Sequence, residues 1–296
     1  MTIVPADKLH LPEMSGNVRV RRKGADHRLD INFTIQPYIQ SAARVGRDPR
    51  KRRDGQGAAA RGAGRAVAPS RTHARYGVRV TETPLSLPGR TVIFDYGEVI
   101  SLSQSQADRA VITRLAGAAD EAAAERFWAA YSAHRDGLDQ GAAGVAAYWR
   151  AIARDIGARW DEARVHELWA ADFRSWLSIN PAVIQVLAEL RAGGTPLALL
   201  SNAGPDYGSY FRYGPLRDFF PSCYVSGELG LLKPHADIYQ HVLVDLRITP
   251  AEAVFIDNRE SNVTGAEALG ITGHVFTGAE PLRAFLAALA APAEAR

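Results

Sequence analysis

Four short segments of this chain end apolar runs in residues that can do chemistry. In chain order they are Val92-Ile93-Phe94-Asp95, Leu199-Leu200-Ser201-Asn202, Leu232-Lys233-Pro234 and Val254-Phe255-Ile256-Asp257-Asn258. Together the segments offer two carboxylates, a hydroxyl and an ammonium. This set of groups suits an aspartate nucleophile that attacks a phosphorylated substrate beside a divalent cation.

Asp95 is the predicted nucleophile, because a carboxylate can accept a phosphoryl group as an aspartyl phosphate and split one difficult step into two. The alternative for Asp95 alone is a helix cap that follows a strand. Pro234 restricts Lys233 to extended geometry, and the Lys233 ammonium is expected to offset the charges of Asp95 and of a phosphate. The Ser201 hydroxyl is predicted to donate a hydrogen bond to a phosphate oxygen, with the Asn202 amide beside it.

Asp257 is predicted to supply a second acidic group for Mg²⁺, since this cation prefers carboxylate and carbonyl oxygens and retains waters. Asn262 follows in the same loop and reads as a helix cap or a loop brace. Considered alone, Lys233 could also be a surface lysine, and Ser201-Asn202 could simply be the start of a loop. The occurrence of all four segments in order favours the catalytic interpretation.

Three of the four segments read as strands of a parallel sheet that is covered on both faces, because they are runs of β-branched and aromatic residues. Ligands of open α/β sheets bind beyond the carboxyl ends of the strands, so the polar residues are expected to converge in one crevice. Strands and helices alternate through residues 89–100 and 180–296, which predicts an α/β fold with a doubly wound parallel sheet. Strands are predicted at 90–95, 196–201, 223–226, 253–257 and 272–276, and helices at 181–191, at 235–246, through 266 and from 281.

A long insertion between the first two predicted strands, about residues 103–178, carries no strand signal. Helices are predicted there at 107–116, 120–134, 145–156 and 161–176, and all five tryptophans of the chain fall in this insertion. Aromatic residues at helical spacing are typical of packing. A helical bundle inserted at the carboxyl edge of the sheet would act as a cap that shapes the pocket and expels water.

The N-terminal residues 1–88 differ in composition from the rest of the chain. Residues 1–90 hold 18 Lys and Arg against 7 Asp and Glu, whereas the remainder holds 17 against 25. The segment lacks helical periodicity, and 31–39 is its only strand-like run, so we expect a largely disordered, basic extension. A nucleic-acid-binding arm is the functional alternative for this segment, while the acidic remainder is not built to bind nucleic acid.

The single cysteine, Cys223, excludes an intramolecular disulfide and is expected to be a buried structural thiol. The chain has no apolar run near the length of a membrane span, and its first ten residues lack the apolar core of a signal peptide. We therefore expect a cytoplasmic location and no membrane partner.

The motifs quoted above resemble those of haloacid dehalogenase-like (HAD) hydrolases that carry a helical cap inserted after the first motif. The specific matches are the runs at 94–100, 200–202, 227–234 and 255–258, with Asn262 following, and the resemblance covers about residues 90–278. It implies a core at 89–102 and 179–296 with a cap at 103–178. By this resemblance Asp95 is the nucleophile, Ser201 binds phosphate, Lys233 balances charge, and the Gly97 carbonyl ligates the metal.

Two positions depart from the family pattern. Many family phosphatases carry an aspartate general acid two residues after the nucleophile, where this chain has Gly97. The backbone carbonyl survives that change, but proton donation must come from elsewhere. Asn258 stands where the fourth motif often has an acidic metal ligand, and an amide oxygen can ligate Mg²⁺ without adding negative charge. We therefore expect weaker metal binding, with Asp257 compensating.

The favoured hypothesis is a Mg²⁺-dependent phosphatase of a small phosphorylated metabolite, acting through an aspartyl phosphate. Its metal ligands would be Asp95, Gly97, Asp257 and Asn258. Alternatives are a metal-free dehalogenase and a metabolite-binding homologue without turnover. In the cap, Tyr131, His134, Arg135 and Asp139 cluster at one helix end; Arg135 could hold an anionic group of the substrate, or the cluster could be a solvated helix terminus.

Overall fold

The computed structural model describes residues 84–290 together with the backbone of two short strands, β1 (Met14–Gly16) and β2 (Phe33–Ile35). Contacts divide the chain into two units, Met1–Gly64 and Arg65–Arg296. In the first unit, β1 pairs with β2 in antiparallel register. The strand-like run at 31–39 contains β2, whereas β1 was not predicted, since 31–39 was expected to be the only strand-like run of this segment. The expectation of disorder for residues 1–13, 17–32 and 36–83 lies outside the described residues.

The second unit contains a five-stranded parallel sheet. Its strands are β3 (Thr91–Phe94), β4 (Leu197–Ser201), β5 (Ser222–Val225), β6 (Ala253–Asp257) and β7 (Thr272–Val275), in the order β5-β4-β3-β6-β7. Every residue of the three central strands is buried, because both faces of the sheet are covered. The predicted doubly wound α/β fold is confirmed.

Eleven α-helices fall within the described part of the second unit. They are α1 (Gln106–Ala116), α2 (Glu121–Ala133), α3 (Arg135–Asp139), α4 (Val145–Asp155), α5 (Glu162–Ser175), α6 (Pro181–Ala192), α7 (Tyr207–Tyr213), α8 (Ser226–Leu229), α9 (Ala236–Leu246), α10 (Glu260–Glu267) and α11 (Ala279–Ala290). The sequence patterns predict the long helices to within a residue or two at most ends. They miss the short helices α3, α7 and α8, since fewer than two turns carry no readable periodicity.

Alternate residues of the central strand β3 enter two different hydrophobic cores. Val92 and Phe94 pack with α6, α7 and α11 on one face of the sheet. Ile93 packs with α9 and α10 on the other face. This alternation follows from the two-residue period of a strand. It leaves the carboxyl ends of the strands as the place where polar residues can be exposed to a ligand.

Helices α1–α5 form the insertion between β3 and β4 and have a hydrophobic core of their own. Asp120 and Asp161 accept hydrogen bonds from the backbone N–H groups of Ala123 and Arg164 and thereby begin α2 and α5. Trp149 is fully buried in this core, and three more tryptophans pack against it. Trp176 packs instead against the core of the sheet. All five tryptophans therefore take part in packing, as their helical spacing predicts, and Trp176 also lines the cavity described below.

The packed region begins before residue 89, where the sequence analysis drew its boundary. Leu85 and Leu87 are buried in the core of the sheet. The Leu87 N–H donates to Thr195 Oγ1 at 3.0 Å, and the Ser86 hydroxyl donates to the Gly193 carbonyl at 2.8 Å. These contacts tie the segment to the turn that precedes β4.

Within the part of the chain that the structure describes, no helix combines the length and apolar character that a membrane crossing needs.

Candidate active site

The predicted chemical residues meet at the carboxyl edge of the sheet. Asp95 directly follows β3, while Ser201 and Asp257 are the last residues of β4 and β6. A cavity of about 350 Å³ opens there between the sheet and the inserted helices. Seven of the eight predicted site residues line it, namely Asp95, Gly97, Arg135, Ser201, Asn202, Lys233 and Asn258. The eighth, Asp257, lies beneath them with no exposed surface.

Lys233 joins the two carboxylates. Its Nζ donates to Asp95 Oδ1 at 2.7 Å, to Asp257 Oδ2 at 2.7 Å and to the Leu200 carbonyl at 3.0 Å. An ammonium has three N–H donors, so each of them has a partner. Burial alone would lower the pKa of Lys233, but the charges of Asp95 and Asp257 outweigh burial and raise it. Lys233 is therefore a permanent cation at neutral pH.

The groups around Asp95 shift the pKa of its carboxyl in opposite directions. Burial raises its pKa, Lys233 lowers it and Asp257 raises it, with a result of about 6. The carboxylate is thus ionised at neutral pH and has an ammonium 2.7 Å from one of its oxygens. An ionised carboxylate that lines a cavity has the state a nucleophile needs.

Two asparagines fix this arrangement. Asn202 Nδ2 donates to the Lys233 carbonyl at 2.9 Å, and Asn202 Oδ1 accepts from the Lys233 N–H at 3.0 Å. Asn262 Nδ2 donates to Asp257 Oδ2 at 3.0 Å. Asn262 lies in α10 and not in the loop where it was expected, so it holds Asp257 from the first turn of that helix. The contacts of Asn202 position Lys233, and its predicted role in substrate binding stays a prediction.

The oxygen donors at the mouth of the cavity fit a hard cation such as Mg²⁺. Asp95, Gly97 and Asn258 all line it, and a carboxylate, a backbone carbonyl and a side-chain amide are oxygen ligands of the kind that this cation takes. Both oxygens of Asp257 already accept protein hydrogen bonds, from Arg259 N–H, Lys233 and Asn262. Asp257 thus has the contacts of a residue that positions Lys233. Among the described residues, no group of three or more His, Cys, Asp or Glu side chains could hold a metal, so backbone and amide oxygens are needed here.

The cap side of the cavity is a charged network. Arg135 Nη2 lies 2.6 Å from Asp139 Oδ1, and Arg135 Nη1 lies 3.8 Å from Asp172 Oδ2. Tyr131 donates its hydroxyl to Asp172 Oδ1 at 2.8 Å. His134, which the sequence grouped with these residues, pairs instead with Asp155.

Asp172 is a member of this network that sequence reasoning missed. The i,i+4 spacing of Arg135 and Asp139 could reveal their pairing, because such residues share a helix face. No local pattern links either residue to Asp172, which lies in the separate helix α5. The contact between them exists only once α2, α3 and α5 have packed together.

The site and the fold agree with a family comparison. A model of the haloacid dehalogenase-like hydrolases matches residues 90–270. That range covers more than half of the chain and contains every predicted site residue. The chain belongs to the haloacid dehalogenase-like hydrolase family.

Curated relatives of this chain include phosphatases. Phosphoserine phosphatase from Thermus thermophilus is 32% identical over 162 residues, which make up 53% of this chain and 64% of that protein. Sesquiterpene phosphatase astK of Aspergillus oryzae is 30% identical over 108 residues, which make up 35% of this chain and 55% of that protein. The chain thus spans between 55% and 64% of the length of these relatives.

Solved structures show the same fold. A HAD family enzyme from Bacteroides thetaiotaomicron has a TM-score of 0.51 at 24% identity, covering 62% of this chain and 92% of its own. The HAD hydrolase YfnB from Bacillus subtilis, solved with bound magnesium, has a TM-score of 0.54 at 16% identity, covering 67% of this chain and 98% of its own.

Proposed function

We propose that this hydrolase cleaves phosphate monoesters of small metabolites, with Asp95 as the nucleophile. The observation that carries the proposal is the position of Lys233 Nζ, 2.7 Å from both Asp95 and Asp257 at a cavity that Ser201 also lines. This arrangement keeps Asp95 ionised and adds positive charge where a phosphate would lie. The names of the curated relatives support the same reaction class.

In the proposed reaction, an Asp95 oxygen attacks phosphorus while the bond to the leaving oxygen breaks. Water then hydrolyses the aspartyl phosphate and regenerates the carboxylate. Ser201 donates a hydrogen bond to a phosphate oxygen, and Lys233 offsets the charge of the phosphoryl group in both steps. Asn202 holds the Lys233 backbone in place during the reaction, through the two hydrogen bonds described above.

Mg²⁺, when bound, would offset the negative charge of the phosphate. The proposed ligands are Asp95, the Gly97 carbonyl and Asn258. Asp257 is the weakest of the four predicted ligands, because three protein donors already occupy its oxygens.

The leaving group receives no proton from position 97, because Gly97 has no side chain. The absence of a general acid costs on the order of 10²–10⁴ in rate. We therefore expect turnover to depend steeply on the leaving group, with aryl phosphates cleaved faster than alkyl phosphates.

The cavity size and the cap residues bear on the substrate. A cavity of about 350 Å³ suits a small metabolite. Asp139 and Asp172 already offset the charge of Arg135. We therefore propose that Arg135 hydrogen-bonds a polar part of the leaving group and does not serve as the main attraction for a second anion.

The test is phosphate release from a panel of sugar, amino-acid and aryl phosphates, with Mg²⁺ or with EDTA. Turnover that requires Mg²⁺, disappears in Asp95→Asn and persists in the surface control Asp218→Asn would support the proposal. Halide release that is indifferent to EDTA would favour the dehalogenase alternative. Metabolite binding without turnover would favour a non-catalytic homologue.

The cytoplasmic location and the nucleic-acid-binding arm stay predictions.

A further inference from the structure

Glu98 has an unusual backbone conformation beside the proposed nucleophile. Its φ of 59° lies in the left-handed region, and Arg247 is the only other described non-glycine residue with a positive φ. Arg247 is the C-cap of α9, where such a conformation is common. Glu98 follows Gly97 in the turn after β3 and caps no helix of that kind. Strained residues of this type cluster at functional sites.

Local contacts hold Glu98 in this conformation. The Glu98 N–H donates to the hydroxyl of the buried Ser101 at 3.2 Å. The backbone N–H groups of Val99, Ile100 and Ser101 all lie within hydrogen-bonding distance of the Tyr96 carbonyl. The tight turn therefore keeps the Glu98 backbone fixed, although its side chain is exposed.

The side chain of Glu98 reaches the loop that follows β6. Glu98 Oε2 accepts a hydrogen bond from Asn258 Nδ2 at 2.8 Å, and both residues line the cavity with Asp95 and Gly97. This bond uses the amide nitrogen of Asn258, so its oxygen is the atom that is left to ligate a cation. The bond also sets a carboxylate directly beside the one proposed ligand that lacks a charge.

The predicted magnesium site has little net negative charge. Lys233 neutralises one of the two buried carboxylates, since it pairs with both Asp95 and Asp257. Asn258 adds an oxygen but no charge, and the number of charged ligands tunes the affinity of sites for hard cations. We propose that Glu98 supplies the negative charge that Asn258 lacks and orients the Asn258 oxygen toward Mg²⁺. This inference rests on the proposed metal-dependent function.

The test is the Mg²⁺ affinity of the full chain, measured by isothermal titration calorimetry without substrate. Glu98→Gln keeps the shape and a hydrogen-bond acceptor for Asn258 but removes the charge. We expect it to weaken Mg²⁺ binding by about 10–100-fold, the range typical when a residue that hydrogen-bonds to a metal ligand is replaced. The double variant Glu98→Gln/Asn258→Asp returns the charge to the ligand itself and should recover most of that loss. Glu260→Gln, an exposed carboxylate near the same loop, should change the affinity less than twofold if the charge of Glu98 acts locally.

A second readout shows whether the variants fold and bind. Added Mg²⁺ should raise the melting temperature of the wild type and raise that of Glu98→Gln less. Mg²⁺-dependent turnover in the wild type together with an unchanged Mg²⁺ affinity in Glu98→Gln would overturn this inference alone. A wild type that binds no Mg²⁺ would overturn it as well, and phosphate release in EDTA would then show whether the phosphatase proposal survives without the metal.

Discussion

At the scale of single residues, the site is a buried charge arrangement with one cation and two carboxylates. Lys233 has 1% of its side chain exposed, and Asp257 has none. Charges buried in this way are costly unless each one is paired. The stability of the fold and the ionisation of Asp95 therefore depend on the same ammonium.

Replacing Lys233 with Met should destabilise the protein by about 3–5 kcal/mol, because it leaves two carboxylates buried without a cation. The measurement is equilibrium urea denaturation at neutral pH. The double variant Lys233→Met/Asp257→Asn removes one of the unpaired charges and should be more stable than Lys233→Met alone. A loss below about 1 kcal/mol in Lys233→Met, within the range of an exposed ion pair, would contradict the buried pairing.

Cys223 should react slowly in the folded protein. Burial raises the pKa of its thiol to about 11, so little reactive thiolate is present at pH 8. Given an ordinary cysteine pKa near 8.5, we expect alkylation by iodoacetamide to be about a hundredfold slower in the folded protein than in urea. The folded rate should rise as the pH increases toward 11. Equal rates in the two states would show that the thiol is exposed and unperturbed.

At the scale of elements, the cap meets the core through the short helices α3 and α8. Ser226 Oγ at the start of α8 contacts the Asp139 carbonyl at the end of α3. Gln140 Nε2 donates to the Gly230 carbonyl at 3.2 Å. Because Lys233 follows α8 by only a few residues, the cap contacts the segment that carries the Lys233 ammonium.

Substitution of Gly141, which follows α3, tests the contact between α3 and α8. Its φ is +75°, and a Cβ added there would lie 2.2 Å from the Gly227 carbonyl oxygen. Gly117 is a matched control, since its φ is +79° and an added Cβ would meet nothing within 4 Å. Alanine at either position costs about 1–2 kcal/mol of backbone strain. Gly141→Ala should lose a further 1–3 kcal/mol or so, because the methyl group collides with backbone.

The same pair of variants should differ in kinetics. Gly141→Ala is expected to raise KM for any substrate that the cap covers, whereas Gly117→Ala should leave KM unchanged. Urea denaturation and steady-state kinetics provide the two measurements. Equal effects of the two alanines on both quantities would mean that α3 does not rest on α8 in solution.

At the scale of the whole molecule, all of the site residues lie between Asp95 and Asn262, within the unit Arg65–Arg296. Apart from the backbone of β1 and β2, residues 1–83 lie outside the described part of the chain. The segment just before β3 is different, because Leu85 and Leu87 are buried in the core of the sheet.

Two truncations that differ by five residues separate the contribution of the N-terminal extension from that of Leu85 and Leu87. Removal of residues 1–83 should leave the proposed phosphatase activity unchanged, since every residue of the proposed mechanism remains. Removal of residues 1–88 also deletes Leu85 and Leu87, and each large-to-small loss of a buried leucine costs about 2–5 kcal/mol. Thermal unfolding should therefore show a clearly lower melting temperature for the shorter chain. Equal melting temperatures would place the true start of the domain after residue 88.

The strands, the long helices and the edge of the sheet where the polar residues lie could be predicted from the sequence, because each depends on a pattern of neighbouring residues. Buried strands could be predicted because their apolar runs are continuous, and Asp95, Ser201 and Asp257 could be placed at one edge because parallel strands share a carboxyl end. The helices of the cap could be predicted from periodicity. The pairing of Arg135 with Asp139 was not predicted, although their i,i+4 spacing signals it.

Only the tertiary structure decided which of these groups touch. The ammonium of Lys233 joins carboxylates that are 138 and 24 residues away in sequence, and Glu98 reaches Asn258 across 160 residues. Hydrogen bonds of this kind form where packed elements bring two loops within about 3 Å, a distance that no local spacing encodes. The sequence alone therefore determined which chemical groups reach the edge of the sheet, while packing of the cap and the loops decided how their charges are paired.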